Sequence, residues 1–147
     1  TPIFYPWRNS TYYHLIYATR DIKGLREFKN IDESLQKEQT KARKKAMLDK
    51  NGQTQLSLFP SNIDPYINNL LKENIGDMQK KYKKLIKEKN IILYKKILKK
   101  FLQIPLIYET DIDKYTLLLK ENNKIEILGW KKKQKKPKLH NKIKSKF

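Results

Sequence analysis

The chain has 147 residues, and its 34 lysines and arginines against 15 acids give a formal charge of +19. It has no cysteine and only two histidines, His14 and His140, which excludes disulfide scaffolds, thiolate metal sites and His-rich metal sites. Its 18 Leu, 17 Ile and 5 Phe exceed the roughly 20% below which a highly charged chain stays disordered, so one or two small folded units are expected.

Taken in chain order, the first signal is Tyr12-Tyr13-His14-Leu15-Ile16-Tyr17-Ala18. It is rich in aromatic and β-branched residues and reads as a buried strand. Thr19 or Asp21 caps a following short helix with Leu25 and Phe28 on one face. A lone strand leaves its edges unpaired. A sheet supplied by another part of a longer protein is therefore expected, with pairing to a C-terminal hairpin as the alternative. The chain begins Thr1-Pro2 rather than with Met, and it is read as a piece of something longer. Residues 1–31 are thus read as a strand and helix whose sheet lies elsewhere in a longer protein.

Residues 32–61 read as a helical connector with an exposed loop. Asp32–Asp49 is polar and helix-prone, with Leu35, Ala42, Ala46 and Leu48 as weak apolar positions, and Asn51-Gly52 is a turn signal. Gln55-Leu56-Ser57-Leu58-Phe59 follows in a polar loop. It resembles the pentapeptide by which bacterial DNA polymerases and repair proteins bind the replication sliding clamp. Leu58 and Phe59 would anchor in a pocket, Leu56 would support them, and Gln55 would orient the peptide by hydrogen bonding. The alternative is that the apolar residues pack as a short strand.

Residues 62–147 read as a helical, basic domain. Asp64-Pro65 starts a helix in the favoured way, followed by Ile67, Leu70 and Leu71. Asp64-Pro65-Tyr66 lacks the second proline of an amino-methyltransferase signature and is read only as a helix start. Gly76 is expected to interrupt the helix. Met78, Tyr82, Leu85 and Ile86 mark a second helix, and Ile91, Tyr94, Ile97, Leu98, Phe101 and Leu102 a third. Thr110 and Asp113 outline a capping box. Ile112, Tyr115, Leu118 and Leu119 form the buried stripe of the next helix, which Asn122-Asn123 stops. Lys124–Leu128 alternates as a strand, Gly129–Lys138 is a basic loop, and Leu139–Phe147 alternates again with one wholly basic face. The fold class is therefore mainly α with a small C-terminal β-hairpin, in the order of a winged helix-turn-helix domain.

The charge is concentrated. Residues 79–100 carry ten Lys and one acid, residues 131–147 carry nine Lys and none, and these windows hold +18 of the +19. Lys outnumbers Arg 30 to 4, which disfavours bidentate guanine reading and points to phosphate contact. The basic loop supplies Trp130, Lys131, Lys132, Lys133, Lys135, Lys136 and Lys138, on a loop free to enter a groove. Trp130 alternatively caps the small core at the hairpin base. Lys142 and Lys144 line the basic face of the last strand. Lys114, Thr116 and Lys120 lie off the apolar stripe of the 111–122 helix and could face DNA. No catalytic constellation, Gly-rich phosphate loop or cofactor site is visible. No apolar run approaches a membrane span and no signal peptide is present, so the chain is read as cytoplasmic with no membrane partner.

Tyr12–Lys29 resembles the late strand-and-helix passage of the three-Cys-motif partner protein family. The matching residues are Tyr13, Leu15, Ala18, Thr19, Gly24 and Leu25. Ala46-Met47 and Asp111–Lys124, with the basic loop and Phe147 after it, also fit. The resemblance covers the two ends and is thin across 60–100. It implies a methyltransferase-like α/β domain upstream, of which residues 1–31 would be the strand–helix remnant, a winged-helix-like domain here, and a three-Cys-motif protein as a possible partner. The leading expectation is a nucleic-acid-binding module, with DNA favoured. The alternatives are a sliding-clamp adaptor acting through Gln55–Phe59 and an RNA- or ribosome-binding protein.

Overall fold

The computed structural model describes residues 1–50 and 64–146, with 47–50 given by backbone alone. The order is β1 (Pro2–Phe4), β2 (Thr11–His14), α1 (Ile22–Lys50), α2 (Pro65–Lys89), β3 (Ile91–Leu93), α3 (Tyr94–Phe101), α4 (Glu109–Glu121), β4 (Ile125–Leu128) and β5 (Lys142–Ser145). The described chain is mainly helical, with a two-stranded and a three-stranded antiparallel sheet.

Local chemistry explains several boundaries. The Asp64 side chain accepts from the Tyr66 and Ile67 amides at 2.9 and 3.4 Å, and Pro65 follows with its φ preset for a helix. At the far end of α2, Asn90 takes φ +51 and breaks the helix. Asn tolerates this left-handed conformation better than most residues. The apolar run Ile91–Leu93 is then drawn out as β3, because β5 offers it a partner: Ile91, Ile92 and Leu93 face Lys144, Ile143 and Lys142. The single helix expected over 91–102 is thereby split. β4 pairs along the other side of β5, giving the order β3-β5-β4.

The main core lies between these elements. α2 contributes Met78, Tyr82, Leu85 and Ile86 at helical spacing, and α3 contributes Tyr94, Ile97, Leu98 and Phe101. α4 adds Ile112, Tyr115 and Leu119, and the sheet adds Ile125, Ile127 and Ile143. Leu118, expected in the α4 stripe, is instead 48% exposed. A smaller cluster of Phe4, Ile67 and Leu106 seals the N-terminal side. Leu106 is buried there at φ +59, in the tight connection between α3 and α4.

The N-terminal region departs most from expectation. Of Tyr12–Ala18 only Tyr12–His14 is strand, and among the described residues it pairs with Pro2–Phe4, not with the C-terminal hairpin. Tyr12, Tyr13, Leu15, Ile16 and Tyr17 are exposed, not buried. Their composition carries strand propensity, but a three-residue partner strand cannot cover them. The short helix and the polar connector helix are one 29-residue helix, α1. The capping expectation also moves by two residues. α4 starts after Tyr108, whose amide donates to Asp111 Oδ2 at 3.0 Å.

Gly76 does not interrupt α2, which runs unbroken from Pro65 to Lys89. Nothing lies within 4 Å of where a Cβ would stand at Gly76. Glycine in a helix interior costs about 0.5–1 kcal/mol relative to alanine. Gly76→Ala is therefore expected to raise stability by about that amount, read as a higher urea midpoint at unchanged slope. A lower midpoint would show that α2 needs the missing side chain.

Candidate nucleic-acid interface

β4 and β5 are joined by the basic loop, and the geometry of that loop is set by two uncharged amides. Gly129 begins it at φ +77, where a Cβ would stand 3.3 Å from Asn141 Nδ2. Asn141 is fully buried. Its Nδ2 donates to the carbonyls of Leu128 and Gly129 at 3.2 and 2.9 Å. Its Oδ1 accepts from the Lys138 amide and from Gln134 Nε2, both at 2.7 Å. Gln134 Nε2 also donates to the Lys136 carbonyl at 2.8 Å. The Asn141 amide therefore has partners for both donors and its acceptor, which is what a buried polar group needs.

The loop is accordingly pinned rather than free. Lys131, Lys132, Lys133, Lys135 and Lys138 are exposed along it, while Pro137 is buried and Gln134 turns inward. Neither Gln134 nor Asn141 stands out in the sequence as a functional residue. The one signal there is that Gln134 interrupts a run of lysines with an uncharged amide.

The remaining expected residues divide. Trp130 is half-buried against the main core, and Lys120 Nζ sits over its ring at 3.7 Å, so the two are brought together in a cation–π contact. Lys114 is exposed on α4. Thr116, expected to face outward, is fully buried. Its hydroxyl pairs with Tyr82 Oη at 2.7 Å and donates to the Ile112 carbonyl at 2.7 Å, since a hydroxyl can satisfy itself inside a helix as a charged side chain cannot. Lys142 and Lys144 project from β5, with Lys144 opposite Glu126 in the register and Lys142 opposite Leu128. Gln55, Leu56, Leu58 and Phe59 lie outside the described residues.

The two basic windows meet. β3 lies inside the first and β5 inside the second, and they pair directly. The Tyr94 amide donates to the Asn141 carbonyl at 2.9 Å, and the Lys95 amide to the Leu139 carbonyl at 3.3 Å. The start of α3, with Lys95 and Lys96 exposed, is thus stitched to the returning end of the basic loop. The first window is spread over α2, β3 and α3 rather than forming one helical patch.

The first turns of α4 have the opposite character. Glu109 is gripped by Arg26 of α1 through two bonds of 2.5 and 3.0 Å. Lys136 of the loop lies 3.9 Å from both Glu109 and Asp113. Asp113 is buried and accepts a short hydrogen bond from the Tyr94 hydroxyl. Burial, with nearby Glu109 adding to it, pushes its carboxyl above the usual carboxylate value. Burial likewise pushes the Tyr94 phenol up, so Tyr94 is the proton donor of the pair.

No described helix is long and apolar enough to cross a membrane. Among the described residues no group of His, Cys, Asp or Glu could hold a metal ion. Comparison with models of protein families, with characterised proteins and with solved structures finds no match.

The Asp113 environment sets a pH signature. A carboxyl whose folded pKa lies above its unfolded value of 3.8 binds its proton more tightly in the folded state. It costs stability when ionised, and that cost is relieved as pH falls through the folded pKa. Asp113→Asn keeps an acceptor for Tyr94 and removes the titration. The variant should therefore gain on the wild type as pH rises from 3.8 to the folded pKa, with a constant difference above it. Urea midpoints measured across pH check this, and parallel profiles would refute it.

Proposed function

We propose that residues 65–146 form a winged helix-turn-helix-like unit that binds nucleic acid, duplex DNA foremost, mainly through phosphate contacts. The observation that carries this is the pinned basic loop. Asn141 and Gln134 fix its backbone, and five lysines project from it into solvent. The order helix, strand, two helices, strand, loop, strand supports the winged-helix reading, as does the sheet order β3-β5-β4.

Chemistry favours the loop over α4 as the contact element. A recognition helix presents its N-terminal residues to base edges, and here that end carries Glu109, Asp111 and Asp113, which repel phosphate. The loop has no acid at all. A lysine set against a phosphate releases condensed counterions, so affinity falls with salt by a slope of about 0.9 per phosphate neutralised. Lysine is a compact point charge without a bidentate fork, so the contacts confer position more than sequence.

Lys131→Ala/Lys132→Ala/Lys133→Ala should weaken duplex binding for all sequences alike. It should also lower the salt slope by about 1 for each phosphate that a removed lysine neutralised. Fluorescence anisotropy at several salt concentrations measures both. Affinity that ignores ionic strength would refute phosphate binding. Tighter binding of structured RNA than of duplex DNA at matched salt would replace the DNA reading with an RNA one.

A further inference from the structure

Six of the large apolar side chains exposed among the described residues are crowded between positions 7 and 17. They are Trp7, Tyr12, Tyr13, Leu15, Ile16 and Tyr17, exposed by 45–87%. Scattered singly, such residues need no explanation, but a contiguous cluster marks an interaction surface.

The cluster stands on ordered backbone. The turn between β1 and β2 is gripped by Arg43, whose guanidinium donates to the carbonyls of Tyr5 and Arg8. Tyr5 and Tyr12 lie 4.6 Å apart, and Tyr12 and Tyr13 5.2 Å. Downstream, Tyr17 stacks on Phe28 of α1 at 4.6 Å with the rings 5° from parallel. The chain passes so close to α1 there that a Cβ on Gly24 would stand 3.0 Å from Thr19 Oγ1 and 3.2 Å from the Tyr17 hydroxyl. The missing side chain is what lets the segment lie down on the helix.

The charge around the rings identifies the occupant. Residues 1–20 contain no Asp or Glu, while Arg8 and Arg20 are exposed. The Arg8 guanidinium lies over the Tyr5 ring, 5.4 Å from its centroid. Lys99 of α3 donates to the Arg20 carbonyl at 3.4 Å, so the aromatic stretch runs into the lysine-bearing side of α3. A second copy of a +19 chain would be repelled at this cation-bearing, acid-free face. An acidic peptide would match the cations but leave the rings without a flat partner. An unpaired nucleic-acid strand satisfies both, because every base has a π-face and every nucleotide a phosphate.

We propose that the β1–β2 hairpin and its trailing segment bind unpaired nucleotides. Bases stack on Trp7, Tyr12 and Tyr13, and the phosphodiester backbone passes Arg8 and Arg20 toward Lys99. The residues involved are distinct from those of the basic loop, so this site and the duplex contact stand or fall separately. Where both operate, the chain selects a junction between paired and unpaired strands.

The test titrates the full chain with a labelled oligothymidylate and, in parallel, a labelled duplex at the same salt. Tyr12→Ala/Tyr13→Ala should weaken oligothymidylate binding about tenfold or more, as loss of base stacking does, and leave duplex affinity unchanged. Trp7→Phe keeps an aromatic ring and should keep most of the oligothymidylate affinity. It should abolish the part of the tryptophan quench that oligothymidylate causes in the wild type, a readout that needs no tyrosine variant to fold. Equal oligothymidylate affinity in the wild type and the double tyrosine variant overturns the proposal, as does a quench that Trp7→Phe leaves undiminished, with Trp130 as the remaining tryptophan. Polyglutamate that competes as well as oligothymidylate at matched charge overturns it in favour of an acidic protein. A wild-type dimer in sedimentation that the tyrosine changes dissolve overturns it in favour of a second copy.

Discussion

One buried cation holds the N-terminal half of this chain in place. Arg43, 1% exposed, pairs with Asp64 through Nε at 2.6 Å and donates to the carbonyls of Tyr5 and Arg8 and to Asn9. It lies over the rings of Phe4 and Tyr66, 5.7 and 5.8 Å from their centroids. Three separate pieces of chain meet at this guanidinium: the β1–β2 hairpin, the last third of α1 and the start of α2. Asp64 serves twice, since its other oxygen caps α2. Burying a guanidinium is tolerable only when its donors are satisfied. Removing one partner of such a pair typically costs about 3–5 kcal/mol, because the other charge is left uncompensated. The hairpin, a two-stranded sheet among the described residues, is held by this contact and by Gln36 and Gln39 of α1, which bond to Pro2 and Phe4.

The same economy governs the acids. The chain has only 15, and among the described residues three, Asp32, Asp64 and Asp113, are buried. Asp32 meets Lys29, whose Nζ also reaches the Ile104 carbonyl. Asp64 meets Arg43, and Asp113 meets Tyr94. Glu109, partly buried, closes α1 onto α4 through Arg26. These four carboxylates act as joints between elements, while others, such as Glu33, Glu38 and Glu88, pair with lysines at the surface. The positive charge follows from the excess of 34 bases over 15 acids, and self-repulsion among the lysines is opposed by buried joints that salt screens little.

How much of this was legible in the sequence depends on whether the cause is local. Asp64-Pro65, Asn122-Asn123 and the alternation of Ile125–Leu128 and Lys142–Ser145 act within a few residues, and each element falls where the sequence indicates. Ile91–Leu93 does not, because three consecutive apolar residues suit a helix face or a strand, and β5, some fifty residues on, decides. Tyr12–Ala18 shows strand chemistry, but burial depends on what lies opposite, and a strand of three residues lies there. Arg43 stands in Lys41-Ala42-Arg43-Lys44-Lys45 and looks like one more solvated base. Only the convergence of Tyr5, Arg8 and Asp64 on it reveals its role. The basic loop was legible as charge; its rigidity was not, since that lies in Asn141, which the alternation assigned merely to one strand face.

That rigidity bears on how the proposed phosphate contacts would work. Ordering a flexible loop of a dozen residues on binding costs of order 1 kcal/mol or more per residue, enough to cancel several lysine–phosphate contacts. Here the backbone from Gly129 to Asn141 is already tied by hydrogen bonds to the Gln134 and Asn141 side chains, so the cost falls chiefly on lysine side chains. Lys136 is the exception along the loop. Its approach to Glu109 and Asp113 turns one charge of the loop toward α4 and partly neutralises the acidic start of that helix. The loop is thereby divided. Lys131, Lys132 and Lys133, on its outgoing arm, face solvent, and Lys136, on the returning arm, leans toward the acidic start of α4. On the proposed reading, the outgoing arm is the one that meets phosphate, and α4 contributes support rather than base recognition.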